Sequence, residues 1–186
     1  PKILMVAGSL LLAHPELASQ WDVERNQDIS LNDVRNTDRR LVWWRCPVAP
    51  DHVWRQSTRF RIQRKLGCPA CANRQVSVTN NLQTIAPHIA AEWDATRNDG
   101  LLPANTVAFE KRKRYWICSQ NPLHQFQAST AIRVRQNTRC PFCANRRTHS
   151  SNSLAEVNPK LAQEWDYDRN WPFTPKSVRA TEKAKR

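Results

Sequence analysis

Apolar and polar positions along the chain alternate in short bursts, none long enough for an extended helix. "HPELASQWDVERN" sets Pro15 at a first helical position and Leu17, Ala18 and Trp21 on one face, predicting a short amphipathic helix. The pattern returns as "APHIAAEWDATRN" and "NPKLAQEWDYDRN". In each copy the Trp falls on the apolar face, which favours a core position over a base-stacking platform. Asp22 with Arg25, Asp94 with Arg97 and Asp166 with Arg169 are spaced to pair on the helix surface. Asn26, Asn98 and Asn170 are placed to end it in a left-handed cap. "LVWWRC" and "RYWIC" then read as short strands. Beyond them, Arg59-Phe60-Arg61-Ile62 and Ile132-Arg133-Val134-Arg135 alternate apolar and basic residues. A period of two predicts strands with the arginines on one exposed face.

These bursts recur with a period of 72: Cys46, His52, Cys68 and Cys71 map onto Cys118, His124, Cys140 and Cys143. A further step of the same length lands on Pro159, Trp165 and Asp166. The chain therefore divides into a repeat at 9–80, a second at 81–152 and the front half of a third at 153–186. The fold class expected is small α+β, zinc-stapled repeats, each a short helix followed by a zinc-ribbon or treble-clef-like β-hairpin unit. The start at Pro1 and the end at "TEKAKR" suggest an excerpt of a longer chain. The apolar opening "ILMVAGSLLLAHPEL" runs into the first repeat from Ser9 and reads as domain, not as a targeting segment.

All six cysteines fall on one template, Cys-x5-His followed after fifteen residues by Cys-x2-Cys. Zinc takes four tetrahedral thiolate and imidazole ligands, supplied as two close pairs. Two structural Cys3His sites follow: Cys46, His52, Cys68 and Cys71, and Cys118, His124, Cys140 and Cys143. No coordination position is left for a substrate. A disulfide framework has no use for a histidine in fixed register with Cys-x2-Cys. Thiol redox chemistry needs a long helix starting at the motif, and "ANRQVSVTNN" reads as loop. His14, His88 and His149 do not recur and read as surface residues.

Charge changes the picture more than length does. The net charge is +13, and arginine outnumbers lysine 21 to 8. Arginine favours bidentate contact with phosphate and stacking on bases, so a polyanionic partner is expected. The candidate contact residues are Arg59, Arg61, Arg64, Lys65, Arg74, Lys111, Arg112, Lys113, Arg114, Arg133, Arg135, Arg139, Arg146 and Arg147. The sequence has no window of about 18 apolar residues, so no membrane-spanning helix is predicted. There is also no phosphate-binding glycine loop, activated nucleophile or open metal site, so no enzyme and no small-molecule substrate are expected.

The assembled pattern, "P-x-L-A-x-x-W-D-x-x-R-N … W-x-C … H-x-W … R … C-P-x-C", resembles the tandem "probable zinc-ribbon" domain family. The resemblance implies a zinc-ribbon or treble-clef-like fold in several copies, supports the same eight ligands and brings no catalytic residues. The family's histidine follows a shorter loop and a glycine, whereas Asp51 and Leu123 hold that place here. The function expected is a non-catalytic RNA-binding structural protein of a large ribonucleoprotein assembly, such as a mitochondrial ribosome or its assembly intermediate. Its partners would be RNA, ribosomal RNA foremost, and neighbouring proteins. The alternatives are a DNA-binding array of a longer nuclease-like protein and a protein-interaction module. Reduced cysteines place it in an intracellular, reducing compartment, with the mitochondrial matrix favoured.

Overall fold

The structure, a computed structural model, describes residues 8–182; the extreme ends of the sequence, including the first five residues of the apolar opening, lie outside them. Among the described residues two compact units form, one from 8–85 with 103–108 and the other from 86–102 with 109–182. The 72-residue period sets the sequence repeat, but the compact units divide elsewhere. The first unit takes in the opening turn of the second repeat.

In the first unit, α1 (Leu10–Ala13) and α2 (Pro15–Ala18) precede an antiparallel hairpin of β1 (Leu41–Arg45) and β2 (Val53–Ser57). The register pairs Trp43 with Arg55 and Trp44 with Trp54. Helix α3 (Thr58–Arg64) follows β2 directly. Helix α4 (Leu82–Ile85) closes the unit, with the Leu82 amide donating to Thr106. The second unit repeats the plan with α5 (Pro87–Ala90), β3 (Lys113–Ile117), β4 (Gln125–Ser129) and α6 (Thr130–Gln136). It then adds the partial third repeat, α7 (Leu154–Val157) and α8 (Pro159–Gln163).

The core of each unit is built on tryptophan. Trp44 and Trp116 are fully buried, and each meets edge-to-face a tryptophan that lies just past a short helix and not on it, Trp21 at 5.8 Å and Trp93 at 5.1 Å. Each pair also meets at a single isolated antiparallel β-bridge, so the chain just after α2 and just after α5 touches the two-stranded hairpin there. In the first unit Leu10, Val34 and Val42 complete the cluster.

Three expectations change. The segments containing Arg59–Ile62 and Ile132–Arg135 are helices, not strands. Ser57 and Ser129 cap them, each hydroxyl accepting the backbone N–H three residues on at 3.3 Å, and Lys65 and Asn137 end them at positive φ. An interrupted period-two pattern of four residues fits a helix as well as a strand, and the cap decides between them. Asn26 and Asn98 do not adopt a left-handed cap. Their side chains are buried and exchange both hydrogen bonds with a hairpin backbone, at Trp43 (2.8 and 2.9 Å) and Tyr115 (both 3.0 Å). Asp22 does pair with Arg25 at 2.9 Å, but its carboxylate is buried and also reaches Arg45 on β1. Burial works against its charge, yet the Arg25 and Arg45 hydrogen bonds outweigh it and hold the carboxyl below its ordinary range.

Candidate metal centres

Each centre is assembled from a hairpin and a knuckle. Cys46 follows β1 and His52 precedes β2, so a Pro-containing turn carries one sulfur and one imidazole; Cys118 and His124 flank β3 and β4 in the same way. The knuckle Cys68–Cys71 approaches from beyond α3, and Cys140–Cys143 from beyond α6. Backbone turns shape both knuckles: Ala72 donates to Cys68 O at 3.1 Å and Ala144 to Cys140 O at 3.0 Å. Asn73 and Asn145 follow at positive φ, 54° and 50°, which explains the Asn that recurs in "CANR".

All four ligand atoms in each set lie within 4.8 Å of one another. In the first, Cys46 Sγ is 3.6 Å from Cys71 Sγ, and His52 Nδ1 is 3.4 Å from Cys71 Sγ and 3.7 Å from Cys68 Sγ. In the second, the corresponding distances are 3.6, 3.3 and 3.7 Å. A zinc ion with Zn–S of about 2.3 Å separates its sulfurs by about 3.8 Å at the tetrahedral angle, so the edges match an ion-sized centre. Cys46, His52 and Cys68 are buried, and Cys71 is exposed; the second set follows the same order.

Electrostatics also fit a cation. Burial raises the thiol pKa of Cys46, but N–H donation from Val48 and the neighbouring thiols outweigh it and hold that pKa low. Cys118 behaves alike under the Gln120 and Asn121 amides. Cys71 and Cys143 are pushed up to about 12, by burial first and then by the crowded sulfurs beside them. Three thiols this close cannot all ionise unaided, and a dication supplies the missing charge. His124 is held below its ordinary value by burial and by His149, favouring the neutral imidazole that metals bind.

A family model described as a probable treble clef zinc finger domain matches residues 17–74 and again residues 89–146. The chain belongs to that family. No curated protein matches it. Both treble clef matches contain a complete Cys3His set, so the sites are those of two structural zinc ions. Bound there, zinc would be held by four protein ligands and would serve as a cross-link between hairpin and knuckle.

The treble clef units do not leave all the predicted basic residues free. Arg61 and Arg133 are 2% and 3% exposed, so they are not part of an exposed face. The Arg61 guanidinium lies 4.2 Å from the Trp44 ring centre and 5.1 Å from Trp54; Arg133 lies 4.4 Å from Trp116 and 5.3 Å from Phe126. These arginines are core residues stacked between aromatics. Burial, opposed by the thiolates of Cys68 and Cys46, lowers the Arg61 pKa to about 10. Arg114 is half-buried in a bidentate pair with Glu110. Arg112 reaches only 4.0 Å from the same carboxylate. Arg64, Lys65, Arg74, Lys111, Lys113, Arg135, Arg139, Arg146 and Arg147 are exposed, and Arg59 is half-buried. None of these ten forms an ion pair among the described residues.

Sequence reasoning passed over an open groove of about 580 Å³ beside the first hairpin. Trp43, Arg55 and Arg74 line it, and no carboxylate does. The cross-strand pairing of Trp43 with Arg55 was open to inference once the hairpin register was known. His14, His88 and His149 lie outside both ligand sets. His149 nonetheless meets His124 edge-to-face, with ring centres 4.6 Å apart.

Proposed function

We propose that the chain is a non-catalytic RNA-binding scaffold, in which zinc-stapled treble clef units present arginine to the phosphates of a structured RNA. The observation that carries this reading is the exposed basic set beside each knuckle. Arg139 lies just before its knuckle and Arg74, Arg146 and Arg147 just past theirs, and the four make no ion pair among the described residues. Turns at Asn73 and Asn145 shape these loops, and the groove lined by Trp43, Arg55 and Arg74 offers a basic, carboxylate-free contact in the first unit. A large ribonucleoprotein, with the mitochondrial ribosome or its assembly intermediate as the specific candidate, suits an array whose contacts position without reading bases. The partners on this reading are RNA and the proteins beside it in the assembly.

The test is affinity for a single-stranded and a hairpin RNA between about 50 and 200 mM salt, with DNA of matching sequence alongside. Six phosphate contacts would cost about a thousandfold in affinity over that range. A flat salt response, or preference for DNA, counts against the RNA reading. Sedimentation of the native protein with and without RNase then identifies any particle that carries it.

A further inference from the structure

The zinc sites have an outer layer that lies beyond the treble clef matches, in the junctions leading to the next repeat. In the first unit His52 faces the cysteines with Nδ1, and its Nε2 lies 2.8 Å from the Thr79 hydroxyl. In the second, Nε2 of His124 lies 2.6 Å from the Ser151 hydroxyl. The matches end at 74 and 146, five residues short of each hydroxyl. With Nδ1 on the metal, Nε2 must carry the proton, so the imidazole donates and the hydroxyl oxygen accepts.

The next residue ties each hydroxyl into the fold. The Asn80 side chain donates to Ala70 O and Gln75 O, both at 2.9 Å, and accepts the Ser77 amide at 2.8 Å. Asn152 donates to Phe142 O at 2.9 Å and Arg147 O at 3.0 Å, and accepts the His149 amide at 2.8 Å. Each Asn thus clamps its knuckle loop to the junction. Its own carbonyl accepts from the chain that follows, Ala108 N–H for Asn80 (2.9 Å) and Ala180 N–H for Asn152 (3.1 Å). Asp51 backs Thr79 in the first unit, accepting its amide at 3.3 Å and facing its hydroxyl at 3.4 Å. Leu123 cannot do so, and His149 Nδ1 stands 3.1 Å from the Ser151 hydroxyl instead.

We propose that Thr79 and Ser151 are positioning residues for the zinc histidines, so that each site's hold on its metal depends on the junction into the following repeat. The metal-binding unit then runs to about residues 80 and 152. Metal retention and the packing of the next repeat's first turn are linked through one hydroxyl and one asparagine.

The experiment is stepwise removal of zinc from the full chain by a chromophoric chelator, with metal counted per chain. Thr79→Val should weaken one of the two sites about 10–100-fold and leave the other as in the native chain; Ser151→Ala should do the same to the other site. Ser151→Thr should restore native retention, because the first unit already uses threonine. Val78→Ala, an exposed position in the same junction, should change neither site. The cobalt(II)-loaded chain supplies a second readout, since loss of the hydroxyl should alter the visible absorption of one site only. Native retention in Ser151→Ala overturns the proposal. So does failure of Ser151→Thr to restore retention, since that would leave only a general packing defect.

Discussion

The two units solve the same packing problem with different electrostatics. Arg61 and Arg133 occupy equivalent places between two aromatic rings, yet their outer partners differ. Arg61 donates to the neutral Gln20 amide at 2.9 Å, whereas Arg133 pairs with the Glu92 carboxylate at 2.6 Å. Glu92 is in turn held by the Ser119 amide at 3.1 Å and hydroxyl at 2.8 Å. Position 47 in the first unit, equivalent to Ser119, is a proline, which has no donor to offer. What the repeats keep is the aromatic sandwich, and the ion pair is an addition to it. An arginine repeated in a basic chain is therefore no guide to a contact surface by itself.

The largest test of that comparison removes a ligand. Cys68→Ser should drop bound zinc from two to one per chain by native mass spectrometry and unfold the first unit alone. A structural site is worth about 10–16 kcal/mol in zinc-finger peptides, more than a core this small can replace. A single cooperative melt that removes both units together would show that the units are not independent.

Next comes the arginine itself. Methionine keeps much of the length and the aromatic contact while removing the charge. Arg133→Met leaves the Glu92 carboxylate without its cation, with only the Ser119 donors, and should cost about 3 kcal/mol in denaturant unfolding. Arg61→Met strands only an amide and should cost about 1 kcal/mol. Equal losses would mean that the ion pair contributes nothing beyond stacking.

A smaller effect appears with pH. Burial opposes ionisation of Glu92, but Ser119 and Arg133 overcome it and hold its pKa below the ordinary value. Its stabilisation is thus complete above the normal carboxylate range and is lost as pH falls through the depressed value. Glu92→Gln, which copies the first unit, should cost about 1–2 kcal/mol at neutral pH, and that difference should shrink on acidification. A gap that persists at low pH would assign the effect to shape. The smallest change concerns the cap of α3. Lys65 ends the helix at φ 48° where the second unit uses Asn137 at φ 45°. Lys65→Asn should stabilise the first unit by about 0.5 kcal/mol, read as a shift in its unfolding midpoint.

The metal centres were legible because their chemistry is local and discrete. Six cysteines and two histidines at one recurring spacing leave little freedom in how four ligands meet. Strands β1 and β3 were legible for a similar reason, since each runs directly into a ligand, whereas β2 and β4 were missed and a strand was expected a few residues later. The signal for helices α3 and α6 was present in Ser57 and Ser129, eight residues before the left-handed Lys65 and Asn137. Four alternating residues obscured it. Thr79-Asn80 also recurs as Ser151-Asn152, but the pair sits in a loop whose role depends on where the histidine points.

The sequence by itself determined the repeat, the eight ligands and the tryptophan core, because those depend on residue type and spacing. Only the tertiary structure decided where the polar side chains went. Arg61, Arg133, Asp22 and Asn26 read as surface residues on any single element. They are buried because a second element brings them the aromatic ring, guanidinium or backbone amide that makes burial of a polar group affordable. Such partners lie 17 or more residues away in the chain for Asn26 and 41 for Arg61 with Gln20, beyond the reach of any local pattern.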